Sequence, residues 1–229
     1  MAKTPRFDFV ETPSEKNPAD QWIFLFHGYG ADAYDLRSLS EVIARGTATH
    51  WIFPQGIHAV PIGPGWMGRA WWPIAARDLD GSIVDMEAWS NREPEGIVSL
   101  REGLLTWIES FEKDWSKIIL GGFSQGAMLA TDLFLHAPQT PKGLMALSGS
   151  VVNKPNWKLK AKDRAGSRFF QSHGRQDPVL PYRGASQLES LFTSSGMKGS
   201  LFSFEGTHEI PMNVIEKANE YLKSLDAKP

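Results

Sequence analysis

The chain has 229 residues, a formal net charge of −2, 22% charged residues and no cysteine. That length suits a single α/β domain over 1–229, the lack of a basic tract argues against a nucleic-acid partner, and the lack of cysteine excludes disulfides, thiolate metal sites and a cysteine nucleophile. The opening residues show no apolar signal run and no stretch reaches membrane-span length, so a cytoplasmic protein without integral membrane association is expected.

Trp22-Ile23-Phe24-Leu25-Phe26 is a continuous apolar run ending at His27-Gly28, the pattern of a strand covered on both faces. Leu36, Leu39, Val42 and Ile43 recur at helical spacing and predict a helix over 34–44. Trp51-Ile52-Phe53 reads as a short strand stopped by Pro54. Residues 55–94 are rich in Trp, Pro and Gly without a period, and read as one long irregular loop; loops of that size in compact domains usually form a lid or a binding wall. A helix follows over 95–111, with Ile97, Leu100, Leu104, Leu105 and Ile108 on one side. The run 117–121 predicts the next strand, and 127–135 the helix behind it.

Residues 143–149 form another apolar strand, and 153–166 read as a polar, basic surface excursion. Arg168-Phe169-Phe170-Gln171-Ser172-His173 is a strand, 184–195 an amphipathic helix with Leu188, Leu191 and Phe192 inward, and 200–204 the last strand. A final helix from about Pro211 carries Val214, Ile215, Ala218, Tyr221, Leu222 and Leu225 as its stripe. This alternation predicts the α/β class, with a mostly parallel central sheet and helices on both faces.

Between the strand at 117–121 and its helix stands Gly122-Phe123-Ser124-Gln125-Gly126. A G-x-S-x-G in a strand–turn–helix context holds its serine in a tight turn above the sheet edge. The helix start turns free N–H groups toward an oxyanion formed there. A serine hydroxyl needs a base, and the base an orienting acid, and in such sheets functional groups gather past the carboxyl ends of strands. Of the histidines, His50 precedes a strand, His58 sits in the long loop and His136 ends a helix. His27 opens the glycine loop His27-Gly28-Tyr29-Gly30, and His173 lies just upstream of Asp177 in the same loop. His208, in the loop after the last strand, is the candidate base. The order Ser, Asp, His points to Asp177 as the acid, and the backbone amides of Tyr29 and Gln125 are the candidate oxyanion donors.

Six segments, at 25–32, 70–72, 118–126, 147–149, 173–181 and 208–211, together resemble the phospholipase/carboxylesterase family of α/β-hydrolases, which includes acyl-protein thioesterases and small bacterial carboxylesterases. The resemblance implies the α/β-hydrolase fold, Ser124, Asp177 and His208 as a triad, Tyr29 and Gln125 as oxyanion donors, and no metal or cofactor. Many relatives carry Leu where this chain has Tyr29, and the segment 73–94 is unlike that of the thioesterases.

Trp66, Met67, Trp71, Trp72, Pro73 and Ile74 have two readings: they line an acyl groove beside Ser124, or they close the core beneath the long loop. Leu180 and its neighbours in Pro178-Val179-Leu180-Pro181 offer a further wall. The expected activity is a carboxylesterase acting on small to medium acyl chains through an acyl-enzyme. Lysophospholipase or acyl-protein thioesterase action on long chains is the alternative within the class, and a non-catalytic binding protein on the same scaffold the alternative outside it. The expected partner is a small-molecule ester or thioester, with a homodimer left open.

Overall fold

The computed structural model describes residues 6–74 and 86–226. Its main sheet has seven strands: Phe9–Thr12 (β1), Gln21–Phe26 (β2), Thr49–Pro54 (β3), Ile118–Phe123 (β6), Gly143–Leu147 (β7), Arg168–Gly174 (β8) and Lys198–Phe204 (β9). Their spatial order is β1-β3-β2-β6-β7-β8-β9, and every pairing is parallel except β1 with β3. A separate antiparallel hairpin joins His58–Gly63 (β4) to Trp66–Ala70 (β5). The helices are Met86–Asn91 (α1), Ile97–Ile108 (α2), Gln125–His136 (α3), Lys154–Lys160 (α4), Tyr182–Ser194 (α5) and Met212–Asp226 (α6). None of the described helices is long and apolar enough to cross a membrane.

Strand alternation divides the core in two. Phe24, Phe26, Ile118, Leu120, Leu144 and Ala146 face one side, where they pack with residues of α2, α3 and α5. Ile23, Leu25, Ile119, Met145 and Leu147 face the other, where Val214, Ala218 and Leu222 of α6 cover them. The central strands are therefore apolar on both faces, which is why they read as unbroken runs rather than alternating ones.

Four expectations change. β1 was not anticipated: it is a four-residue edge strand, half-exposed and paired on one side only, too short to imprint a period on the sequence. The segment 34–44 folds as a 3-10 turn, Arg37–Glu41, rather than an α-helix, although Leu36, Leu39 and Ile43 are buried as the spacing demands. Ser40 turns its hydroxyl onto Arg37 O at 2.7 Å, and Ala44 adopts φ 58 with its amide held by Asn219 Oδ1, so local side-chain bonds displace the helical ladder. The 55–94 segment is not uniformly irregular, since it contains the β4–β5 hairpin and α1; its residues 75–85 lie outside the described residues.

The fourth change concerns 153–166, which is not a loose surface excursion. It forms α4 and a 3-10 turn, Ala161–Arg164, and both serve α3. Trp157 is fully buried and donates its indole N–H to Asp132 Oδ1 at 2.8 Å. The Arg164 guanidinium donates to Phe134 O at 3.0 Å and to Ala137 O, taking up carbonyls that the end of α3 leaves without helical partners. Asp132 has no exposed side-chain surface, and its other oxygen lies 3.0 Å from Arg101 Nη1. Removing one partner of a buried ion pair leaves an uncompensated charge. Arg101→Ala is expected to lower unfolding free energy by about 3 kcal/mol in a urea titration, while folded protein keeps its active-site geometry.

Candidate active site

The strand β6 enters α3 through Ser124, whose backbone sits at φ 56, ψ −119. A non-glycine residue in such a conformation costs on the order of 1–3 kcal/mol and persists only where its surroundings impose it. Those surroundings are visible here. Ser124 N–H donates to Leu147 O of β7 at 2.9 Å, and Ser124 O accepts from Ala127 N at 3.0 Å. The next turn lies so close to β2 that a Cβ on Gly126 would stand 2.0 Å from Phe26 O. Only glycine allows α3 to begin there.

The loop after β2 passes beside the serine and is fixed from three directions. His27 is buried; its Nε2 accepts from Gly56 N–H at 2.9 Å, so Nδ1 carries the proton and donates to Gly28 O at 2.7 Å. Burial pushes the His27 imidazole below its usual pKa, against a smaller upward pull from its bond to Gly28 O. Trp71 donates its indole N–H to His27 O at 2.9 Å. The hairpin completes the support, with Gly30 N donating to Arg69 O and Arg69 N to Ala31 O, both at 2.8 Å. Gly68 makes this contact possible, since a Cβ there would lie 2.0 Å from Gly30 O. Among the described residues, the amides of Tyr29 and Gln125 donate to no protein acceptor.

The Gln125 side chain is buried and acts as a second brace. Its Oε1 accepts from Trp71 N–H at 3.0 Å, and its Nε2 donates to Trp72 O at 2.9 Å. The first helical turn and the Trp71-Trp72 backbone are thus locked together.

On the other side of Ser124, β8 and β9 deliver the acid and the imidazole. Asp177 Oδ1 accepts from the amides of Val179 and Leu180, each at 2.8 Å, and Oδ2 lies 2.6 Å from His208 Nδ1. Burial alone would raise the Asp177 pKa, but hydrogen bonds from His173, His208 and the Leu180 amide outweigh it and hold the carboxyl below the usual range. An ionised Asp177 makes His208 Nδ1 the donor and leaves its Nε2 free for a second proton. The His208 ring packs against Phe123, centroids 4.7 Å apart, next to the serine. Ser124 Oγ and His208 are not hydrogen-bonded to each other among the described residues.

The apolar candidates separate. Trp66 and Met67 stand on the hairpin, 72% and 62% exposed. Trp71 is sealed in the core, where it braces the loop after β2, and Leu180 is buried with its backbone committed to Asp177 and His173. Trp72 is also buried, but it borders a cavity of about 390 Å³ with Pro73, Ile74, Trp89, Pro94 and Val152, whose lining also includes the charged Arg92, Glu93 and Glu95. Sequence reasoning gives no role to Trp89, Val152 or His173; the first two are ordinary apolar residues with no motif, and His173, though it opens the resembling segment 173–181, is set aside because it lies upstream of Asp177 in the same loop.

The sequence profile of the phospholipase/carboxylesterase family matches residues 8–226. Acyl-protein thioesterase 1 of Eremothecium gossypii is 27% identical over 96% of this chain and 94% of its own length. The Saccharomyces cerevisiae protein of the same name is 30% identical over 72% of this chain and 73% of its own. Among solved structures, esterase PE8 superposes with a TM-score of 0.79 at 23% identity, covering 96% of this chain and 99% of its own. The Bacillus cereus carboxylesterase superposes with a TM-score of 0.72 at 20% identity, covering 96% and 94%. The fold is that of the α/β-hydrolases.

Two outcomes follow from the braces. Gln125→Leu strips partners from a buried N–H and a buried carbonyl, and should cost about 2 kcal/mol of stability in denaturant titration. The lowered His27 pKa means that the unfolded chain takes up a proton first as pH falls below 6.5, so this contribution to stability is full above 6.5 and declines below it. Urea titrations at stepped pH should show His27→Gln losing less stability on acidification than wild type, by up to about 1.4 kcal/mol per pH unit.

Proposed function

The chain belongs to the phospholipase/carboxylesterase family, and on that premise we propose that it is a serine carboxylesterase cleaving esters of small to medium acyl chains. Ser124 Oγ attacks the acyl carbonyl while His208 Nε2 takes its proton. The tetrahedral oxyanion forms against the amides of Tyr29 and Gln125, whose N–H groups donate to no acceptor among the described residues. Collapse expels the alcohol, protonated by His208, and leaves an acyl-enzyme. Water, deprotonated by His208, then attacks the acyl carbon and releases the acid. Asp177 keeps the proton on Nδ1 and stabilises the imidazolium without accepting the proton itself.

The observation that carries this reading is the 2.6 Å contact between His208 Nδ1 and Asp177 Oδ2, beside a serine in a strained strand-to-helix turn. A base–nucleophile hydrogen bond often tightens only when substrate is bound. The acyl chain is assigned to the cavity bordered by Trp72, whose carbonyl is bonded to the Gln125 side chain next to the nucleophile, and the charged Arg92, Glu93 and Glu95 in its lining limit its apolar length. Each methylene buried there contributes about 0.8 kcal/mol until the cavity is full. The long-chain thioesterase reading draws on Trp66 and Met67, two large apolar side chains exposed on the hairpin.

A fluorophosphonate should label Ser124, and Ser124→Ala should remain unlabelled; wild-type protein that is folded and unlabelled rejects the enzyme in favour of a binding protein. Asp177→Asn should lower kcat by about 10⁴-fold, through the wrong histidine tautomer. Across p-nitrophenyl esters of increasing length, kcat/KM should climb and then fall within medium chains. A climb continuing to palmitoyl supports the thioesterase reading instead.

A further inference from the structure

His173 is absent from the mechanism above, yet its buried imidazole lies 3.2 Å from the carboxylate of the acid. It is the next-to-last residue of β8, paired in register with Ser203 of β9, and has no exposed surface. Its Nε2 lies 2.8 Å from Leu180 O and 3.2 Å from Asp177 Oδ2. Both neighbours are acceptors, so Nε2 must carry the ring proton. Its Nδ1 is buried with no hydrogen-bond partner among the described residues. A ring needed only to fill space would be better served by an apolar side chain, since an unpaired buried nitrogen is unfavourable.

We propose that His173 is a positioning residue for this reaction, fixing the Asp177 carboxylate that orients His208; the proposal rests on the triad reading above. The hydrogen bonds form a closed circuit. His173 Nε2–H holds the Leu180 carbonyl, and the amide of the same Leu180 donates to Asp177 Oδ1 at 2.8 Å. Oδ1 then has two amide neighbours, Val179 and Leu180, and Oδ2 has two imidazole nitrogens, from His208 and His173. A carboxylate has about four lone-pair sites, so rotation about Cβ–Cγ would break contacts on both oxygens.

The circuit also tempers the acid. Charge drawn toward three donors, from Val179, Leu180 and His208, and toward the His173 N–H that is shared with Leu180 O, leaves Asp177 a weaker base, so the proton that His208 takes from Ser124 stays on the imidazole rather than passing to the carboxylate. Two polar groups packed nearby are engaged elsewhere. Tyr182, its ring 6.1 Å from His173, bonds Ser203 Oγ at 2.6 Å, and Arg175 lies over the Tyr182 ring and 3.5 Å from Glu205.

Nitrogen-15 spectra of the wild-type protein test the tautomer without any substitution: His173 should be protonated at Nε2 and bare at Nδ1, and the opposite pattern overturns the proposal. His173→Phe keeps the ring and removes the donor, whereas His173→Gln restores an N–H at similar reach. In the Phe variant kcat/KM should fall by up to about a hundredfold with KM little changed. The acid limb of its pH profile should move to higher pH, because a carboxylate relieved of one donor holds the imidazolium more tightly. The Gln variant should recover most of both effects. A folded Phe variant with wild-type kcat/KM, or with a loss that leaves the limb in place, rejects the role. Should the Phe variant not fold, the spectra and the Gln profile decide, a Gln variant with a shifted limb counting against it. Asp177→Asn in the same assay separates the two levels: full activity there removes the triad reading, while a large loss there beside silent His173 variants removes this proposal alone.

Discussion

The first turn of α3 rests on the carbonyl oxygen of Phe26, with no room between them for a single methyl group. Much of the site depends on that contact. It brings the end of β2 and the start of α3 together, and so sets the loop that follows β2 beside the serine. It also forces the chain through an unfavourable backbone conformation at Ser124. The strain is sustained because α3 is buried along nearly its whole length and clamped at its far end by Asp132, Trp157 and Arg164. A helix so thoroughly enclosed cannot unwind its first turn to relax one residue.

The site consists of two halves with separate foundations. The nucleophile and the loop beside it rest on β2, β6, α3 and the hairpin, whereas the acid and the imidazole rest on β8 and β9. Backbone hydrogen bonds through β7 join them: Ser124 N–H to Leu147 O, and Ser148 N–H to Ser172 O, one residue before His173. The contact of Phe123 with His208 closes the gap from above. Geometry between the halves is therefore set by sheet register, which shifts only in whole steps, rather than by flexible side chains.

Much of this was legible in the sequence. The central strands announce themselves because burial on both faces leaves no polar interruptions, and Ser124, Asp177 and His208 stand at strand ends, where the chain must turn and a polar residue is otherwise unremarkable. Elements whose stability comes from elsewhere were harder to read. β1 is an edge strand, α4 is short and basic outside, and its one decisive residue, Trp157, acts through an indole N–H reaching a carboxylate in another helix. The four aromatic or sulfur-bearing residues at 66, 67, 71 and 72 look alike on the page. A hairpin followed by a turn into the core sends the first pair to solvent and the second inward, and no local pattern distinguishes them. His173 was passed over for a similar reason, because its importance lies in a carbonyl seven residues ahead and not in its immediate surroundings.

The hairpin has a wider implication. Where it meets the loop after β2, backbone lies on backbone and a side chain at position 68 is forbidden, yet at its tip an added Cβ on Gly63 would meet nothing within 4 Å. One end of the same two strands is frozen, while the other has open space around it and is held to glycine only at Gly65, whose φ is 78. Descendants of this chain are thus free to lengthen, recolour or redecorate the outer end, and to try new substrates with it, while the machinery that breaks the bond is inherited untouched.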